Sequence, residues 1–286
     1  MKVFVLIPTR NRKELLSKCL DSLSHQTYKN VEIIVIDDGS TDGTREMLIG
    51  KPLTVLEGDG NLWWTGDMRK GVEYITPKFR QGDFVLIQNG DTYMKPKFLE
   101  ELVEASEKND RMIIGTSVRE LDSQKLLYNS HRIVKGSFRP VVVDDTGDIL
   151  RTDTLSGRGV LIPVEVFDKV KNFSKVFPHY AADYDFFCRA LKKGFRLGVY
   201  SRVETFSTNV KPNLAKRIKS QKRINFRDFF HLYFSRRSSN NLWSSMMVTI
   251  LHVPWRYKFY GVLRIKGSFI KILLIDCILK NYFKLG

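Results

Sequence analysis

Acids that stand just beyond apolar runs are the residues in this chain best placed to do chemistry. Asp91 follows Phe84 to Gln88 in DFVLIQNGDTYMKP, with Asn89 and Gly90 between. A carboxylate there can ligate a hard cation, which takes oxygen donors. The same Asn, Gly and Asp are also ordinary turn punctuation. Asp37 and Asp38 close the run VEIIVI and open Gly39-Ser40, another turn-like cluster. Asp183, in HYAADYD, stands where an amphipathic stretch begins. It can take a proton from a hydroxyl or cap a helix.

The elements that must position these acids alternate in type. Lys2 to Thr9 reads as a strand buried on both faces, Val31 to Ile36 and Met112 to Gly115 as further buried strands, and Leu53 to Leu56 and Phe84 to Gln88 as short strands. Between them, Leu15, Leu16, Cys19, Leu20 and Leu23 recur at helical spacing, and Asn11 with Glu14 has the pattern of a capping box. Thr44 to Leu48, Asp67 to Tyr74 and the stretch opening at Pro96 read as further helices. Residues 117–153 are irregular and read as an insertion. Leu155 to Phe167 returns to core, Asp183 to Lys193 is helical, and Gly198 to Phe206 is a final strand. Such alternation predicts an open, mostly parallel α/β sheet flanked by helices. Ligands bind such sheets at the carboxyl ends of the strands, so the polar clusters after Ile7, Ile36 and Ile87 are expected to converge.

Several chemistries are excluded. There is no GxxxxGK[ST], and GDGNLWWTG fails GxGxxG because Trp63 holds the third glycine position. The five histidines form no HExxH-like pair, which argues against a zinc hydrolase. Cys19, Cys188 and Cys277 are scattered, as expected of a reducing compartment. The first apolar run is too short for a signal peptide, and no stretch of about 20 apolar residues predicts a transmembrane helix.

Ordered motifs over roughly residues 2–210 resemble the family 2 glycosyltransferases, which have the GT-A fold. They are VLIPTRNR, LLSKCLDSLSHQTYKNVEIIVIDDGSTDGT, GNLWWTGDMRKG, VLIQNGDTYMKPKFLEEL, SGRGVLIPVEVF and HYAADYDFFCRALKKGF. The NLWWTG segment is most similar to bacterial rhamnosyltransferase-like enzymes. The resemblance implies that Pro8 and Thr9 frame a nucleotide base, and that Asp38 accepts a hydrogen bond from it, as a carboxylate can from a uracil or thymine N–H. Asp37 would support the turn. Asn61, Gly66 and Arg69 would lie along the donor, with Arg69 on a phosphate or simply on a helix surface. Trp63 and Trp64 would wall the sugar or join the core. Asn89 and Asp91 stand where the family keeps an acidic pair for Mg²⁺ or Mn²⁺ on the diphosphate, here reduced because Gly90 replaces an acid. Asp67 replaces the small residue common at its position. Asp183 matches the catalytic base of an inverting transfer. Gly157, Arg158 and His179 fall on the acceptor side. The segment ETFSTN lacks the histidine that often completes the metal site.

Charge divides the chain. Of 47 Lys+Arg and 31 Asp+Glu, 17 and 3 fall in residues 201–286, so this segment carries +14 of the net +16. Residues 1–210 read as the catalytic domain and 211–286 as a basic helical extension. In YKFYGVLRIKGSFIKILLIDCIL, apolar residues keep near-helical spacing around Lys266 and Lys271. Three readings stand: an interfacial anchor on an anionic membrane surface, helices packed on the body, and a nucleic-acid site, for which no module is recognisable. The expected protein is an inverting glycosyltransferase. It would move a sugar, for example rhamnose, from a UDP- or dTDP-linked donor to a glycan or lipid-linked acceptor in bacterial surface-polysaccharide assembly. Its expected place is peripheral, on the cytoplasmic face of the cell membrane. The alternative is a weakly active or inactive sugar-nucleotide or polyanion-binding protein, which Gly90 favours.

Overall fold

A computed structural model describes residues 1–128, 130–134, 137–140, 147–207, 225–236, 238–271 and 273–274. Residues 208–224 and 275–286 of the extension, with Cys277, and the side chain of Lys266 lie outside the described residues.

A mixed ten-stranded sheet forms the centre. Its parallel half is β1 (Val3–Thr9), β2 (Val31–Asp37), β3 (Thr54–Glu57) and β4 (Phe84–Ile87), in the order β4-β1-β2-β3. β1, β4 and most of β2 are buried, while β3 at the sheet edge is half-exposed, and β1 shows how a strand is buried on both faces. Phe4 and Leu6 enter one core with α3 (Trp63–Ile75), while Val3, Val5 and Ile7 enter the other with α1 (Lys13–Ser24) and α4 (Phe98–Lys108). Alternate residues of a strand point to opposite faces, so each apolar position is used. Burying each such side chain contributes about 1.5–3 kcal/mol.

Beyond β4 the sheet continues through β11 (Val160–Pro163), which runs antiparallel to β4 and to β6 (Ile113–Glu120). Next to β6 lies β12 (Leu197–Ser207), parallel to it. β5 (Thr92–Met94) begins one residue after Asp91 and pairs with the far end of β12, which fixes the Asp91 turn to the sheet. The insertion supplies the short strands β7 (Leu126–Tyr128), β8 (His131–Val134), β9 (Ser137–Pro140) and β10 (Ile149–Arg151). α2 (Thr44–Leu48), α5 (Glu165–Val170) and α6 (Ala182–Lys192) complete the body. The extension gives α7 (Phe226–Phe234), α8 (Leu242–His252) and α9 (Trp255–Lys271). α8 packs on α6 and on both its neighbours. No helix of the described residues is long and apolar enough to cross a membrane.

One local expectation is corrected. Asn11 does not cap α1; Arg12 holds that position without a side-chain bond. Asn11 instead takes a left-handed φ of 50° and its Oδ1 accepts from the Thr41 N–H at 2.7 Å. The Asn side chain ties the end of β1 to the turn after β2 and is no longer available to the helix.

Candidate active site

The carboxyl ends of β1, β2 and β4 open into a cleft of about 1020 Å³. Pro8, Thr9, Asp38, Trp63, Trp64, Asn89, Asp91, Gly157, Arg158, His179 and Asp183 line it, as the convergence of strand ends requires.

Asp38 organises one wall of the cleft. Its Oδ1 accepts from the Gly60 and Leu62 N–H groups at 2.8 and 3.2 Å, and its Oδ2 from Trp63 N–H at 3.2 Å. These bonds draw the loop before α3 down onto β2 and hold Trp63 at a positive φ of 57°. Gly58 is required here: a Cβ would lie 2.7 Å from Asp38 Oδ1. Asp37 supports the turn through Ser40, whose N–H and hydroxyl donate to Oδ1 at 3.1 and 2.5 Å. Trp64 belongs both to the cleft lining and to the core. It faces the cleft and donates from Nε1 to Asn89 Oδ1 at 3.2 Å, while its ring packs edge-on against Phe173. Trp63 meets His179 edge to face at 5.6 Å.

The Asn89-Gly90-Asp91 turn is closed by the Thr92 hydroxyl, which donates to Asn89 O at 2.6 Å. Asp91 is buried and accepts from Arg12 Nη1 at 2.5 Å. It is therefore a turn residue that also presents a charge to the cleft. Among the described residues no three His, Cys, Asp or Glu side chains cluster to hold a metal ion. A divalent cation at Asp91 would share one protein carboxylate with Arg12 and take its other oxygens from substrate and water.

Asp183 is the second residue of α6, so it is not the cap; Ala181 precedes the helix at φ 72°. Asp183 Oδ2 accepts from the Gly157 N–H at 2.9 Å and Oδ1 from the Tyr184 N–H at 2.9 Å. Burial raises its pKa, against the lowering effect of those N–H groups and of Arg158. Gly157 cannot be enlarged, because a Cβ would come 2.4 Å from the Trp64 ring. Asp185, two residues on, points away from the cleft to Arg189 and His252.

Three expected donor residues lie outside the cleft lining. Asn61 is exposed and Gly66 packs on Leu62. Arg69 Nη1 donates to Phe173 O at 2.6 Å and Nη2 to Glu73 at 3.1 Å, so its guanidinium braces α3 rather than facing a phosphate. Other lining residues went unread in the sequence. Arg10 and Arg12 follow β1 directly, and their place beyond a strand end was the available signal. Tyr180 and Tyr184 also line the cleft, as do Ser244, Ser245 and Arg264 of the extension, which carry no motif; Asp67, noted as replacing a small residue, lines it too. Among the described residues the guanidinium groups of Arg158 and Arg264 make no hydrogen bond or ion pair; the Arg158 backbone N–H donates to Ser156 O at 2.7 Å.

Comparison with known proteins matches residues 4–167 to the family model for glycosyl transferase family 2. An uncharacterized glycosyltransferase of Haemophilus influenzae is 25% identical over 202 residues, covering 67% of this chain and 61% of the relative. The poly(ribitol-phosphate) beta-glucosyltransferase of Bacillus spizizenii is 31% identical over 116 residues, 38% of this chain and 18% of that one. The chain thus spans about three fifths or less of the length of these curated relatives. The crystal structure of S. aureus TarS 1-349 superposes with a TM-score of 0.56 at 16% identity, covering 96% of this chain and 81% of that chain, a likeness of fold.

Proposed function

The chain belongs to glycosyl transferase family 2, and we propose that it transfers a sugar with inversion from a UDP- or dTDP-linked donor to a hydroxyl of an anionic, lipid-linked or polymeric glycan. The observation that carries this reading is Asp183. It is a carboxylate with raised pKa, held by the Gly157 N–H in the same cleft as the ends of β1, β2 and β4.

In this mechanism the nucleoside lies against Pro8, Thr9 and the Asp38 wall, and the diphosphate extends toward Arg12 and Asp91. The acceptor enters between Arg158, His179 and the helices of the extension. Asp183 takes the proton of the acceptor hydroxyl as that oxygen forms its bond to the anomeric carbon and the bond to the diphosphate breaks. A raised pKa makes Asp183 a stronger base at neutral pH than an ordinary carboxylate. Mg²⁺ or Mn²⁺ held by Asp91 would neutralise charge on the departing diphosphate. Arg12 supplies positive charge at the same place.

The acceptor class rests on Arg158 and Arg264, two guanidinium groups in one cleft with no hydrogen-bond or ion-pair partner among the described residues. Arginine forks suit phosphate oxygens, and the Bacillus relative is named for a ribitol-phosphate polymer. Membrane docking at the cytoplasmic face rests on α9. Trp255, Phe259, Leu263 and Ile270 are 48–84% exposed and fall on one arc of the helix, beside Arg256 and Lys271. The Arg12 pair on Asp91 and the missing acid at Gly90 favour a second reading, a protein that binds the sugar nucleotide without turning it over. The purified chain incubated with UDP-, dTDP- and GDP-sugars plus acceptor, with Mn²⁺ or EDTA, separates the two. Nucleoside diphosphate release supports transfer, while binding without release in every mixture supports the second reading.

A further inference from the structure

The extension brings a different chemistry to the cleft from the body. The acids that line it, Asp38, Asp67, Asp91 and Asp183, all come from the body. Among the described residues the extension lines it with no Asp or Glu, but with Arg264 of α9 and with Asn240, Ser244 and Ser245 at the start of α8. Ser244 is 8% exposed, yet its hydroxyl makes no hydrogen bond with another described residue and stays accessible from the cleft. A buried hydroxyl is normally satisfied, so this one marks where a ligand oxygen fits. Asn241 caps the helix, accepting from the Ser244 N–H at 2.9 Å. The other N–H groups of the first turn have no acceptor within the helix and carry the positive end of its dipole.

We propose that the first turn of α8, with Ser244 and the guanidinium groups of Arg264 and Arg158, forms a subsite for a phosphate ester of the acceptor. This rests on the transfer reading above, in which the acceptor enters beside the extension. Every one of these groups can donate a hydrogen bond, which suits a ligand whose oxygens only accept. Arginine forks meet phosphate oxygens two at a time, and the N-terminus of a helix binds phosphate through its N–H groups. Arg158 follows Gly157, whose N–H holds Asp183. A phosphate ester seated here thus keeps the rest of the acceptor beside Asp183.

Most of this subsite belongs to the extension. The family model matches residues 4–167, and α8 and α9 lie beyond them. The bond between His252 and Asp185 ties α8 to α6, so its first turn is held in place relative to Asp183. The donor's diphosphate has a separate positive group in Arg12, which follows β1 and pairs with Asp91. The extension thereby reads the acceptor's charge, and the body acts on its hydroxyl. A phosphate ester of this kind occurs both in a polyol-phosphate polymer and in a sugar carried on a lipid diphosphate.

The test is calorimetric titration of the full chain, with and without saturating UDP. The probes are a ribitol-phosphate oligomer and a farnesyl-diphosphate-linked N-acetylglucosamine, each beside its uncharged counterpart, ribitol and the farnesyl glycoside. Wild type, Arg264→Gln and Ser244→Ala are compared, each checked for a cooperative melt. A phosphorylated probe should bind more tightly than its uncharged counterpart. Arg264→Gln should weaken that probe about tenfold to hundredfold, as loss of a hydrogen bond to a charged group does, and Ser244→Ala about threefold to tenfold. UDP affinity should match wild type in both variants. Preference for the oligomer assigns the site to a polymer phosphodiester and preference for the farnesyl probe to a lipid carrier, and either supports it. Charged and uncharged probes of equal affinity, binding that neither variant weakens, or a matching loss of UDP affinity in Arg264→Gln would overturn the subsite. So would a chain that binds UDP and neither phosphorylated probe, and in each of these cases the transfer reading stands. No binding of UDP would overturn the transfer reading itself, and the subsite with it.

Discussion

His252 Nε2 donates to Asp185 Oδ1 at 2.9 Å, with both side chains 3% exposed. Burial alone would raise the Asp185 pKa, but His252 and Arg189 together hold it below the usual carboxylate range. An ionised carboxylate only accepts, so the proton sits on Nε2. Lys192 approaches Nδ1 at 3.3 Å and donates to Leu251 O at 2.6 Å. The bond links α6, which carries Asp183, to α8, which also lines the cleft. The extension is therefore joined to α6 through a buried charge.

His252→Ala should cost about 3 kcal/mol, because it strips one partner from a buried carboxylate and leaves Arg189 as the other. Urea unfolding measures this. On the proposed function, in which the acceptor enters beside the extension, the KM for acceptor should rise more than the KM for donor. Asp185 also sets an acid limit. Its folded pKa lies below the unfolded value, so its stabilisation is present above the unfolded pKa and is lost as pH falls through the folded one. Asp185→Asn should flatten the loss of stability below about pH 4. A wild-type-like urea midpoint in His252→Ala would show that the bond contributes nothing.

Asp67 works in the opposite direction. Its folded pKa, about 8, lies above the unfolded value of 3.8. Folding at neutral pH must take up a proton, so the neutral form's advantage is full below pH 3.8 and is lost as pH rises to 8. Asp67→Asn removes the titration and keeps the shape. Its melting temperature should exceed that of wild type at pH 8, by about 1–3 kcal/mol in stability, and the gap should shrink as pH falls. A gap that stays constant with pH would mean the buried acid is not the cause.

Asp183→Asn should lower kcat by about 10²–10⁴-fold while leaving nucleoside diphosphate affinity within a few-fold, as loss of a general base does. The amide oxygen can still accept from the Gly157 N–H, so the fold should hold. In wild type the acid limb of kcat/KM should lie above that of an ordinary carboxylate, because the neutral form must lose its proton first. Unchanged turnover in the variant would remove Asp183 from the chemistry.

Much of this site was legible in the sequence for a physical reason. The strands β1, β2 and β4 are buried on both faces, so they are continuous apolar runs, and the polar residues after them had to meet. Pro8, Thr9, Asp38, Asn89 and Asp91 follow from that alone. What was not legible depends on partners far away in the chain. Nothing near Arg69 tells that its guanidinium reaches Phe173, 104 residues on. Arg12 meets Asp91 across 79 residues, in a chain where arginine is common. β5 is three residues long and is defined only by β12. The extension read as a basic amphipathic segment because its apolar spacing is strong. Its small polar residues, Ser244 and Ser245, have no spacing signal and appear in the cleft only once α8 docks on α6.

The outer face of α9 yields a prediction about where the enzyme works. At 100° per residue, Trp255, Phe259, Leu263 and Ile270 fall within an arc of about 80°, while Gly261 and Ile265 on another side line the cleft. One helix thus presents apolar side chains outward and borders the site inward. An exposed aromatic arc costs free energy in water, and an anionic bilayer surface relieves that cost through apolar burial and attraction to Arg256 and Lys271. The full chain should cosediment with phosphatidylglycerol vesicles and much less with phosphatidylcholine vesicles. The Trp255→Ser/Phe259→Ser double variant should lose most of that binding, and raising salt should weaken what remains. Turnover of a soluble acceptor should stay near wild type in the same variant, because neither residue lines the cleft. Equal cosedimentation of wild type and variant would show that the arc does not meet lipid.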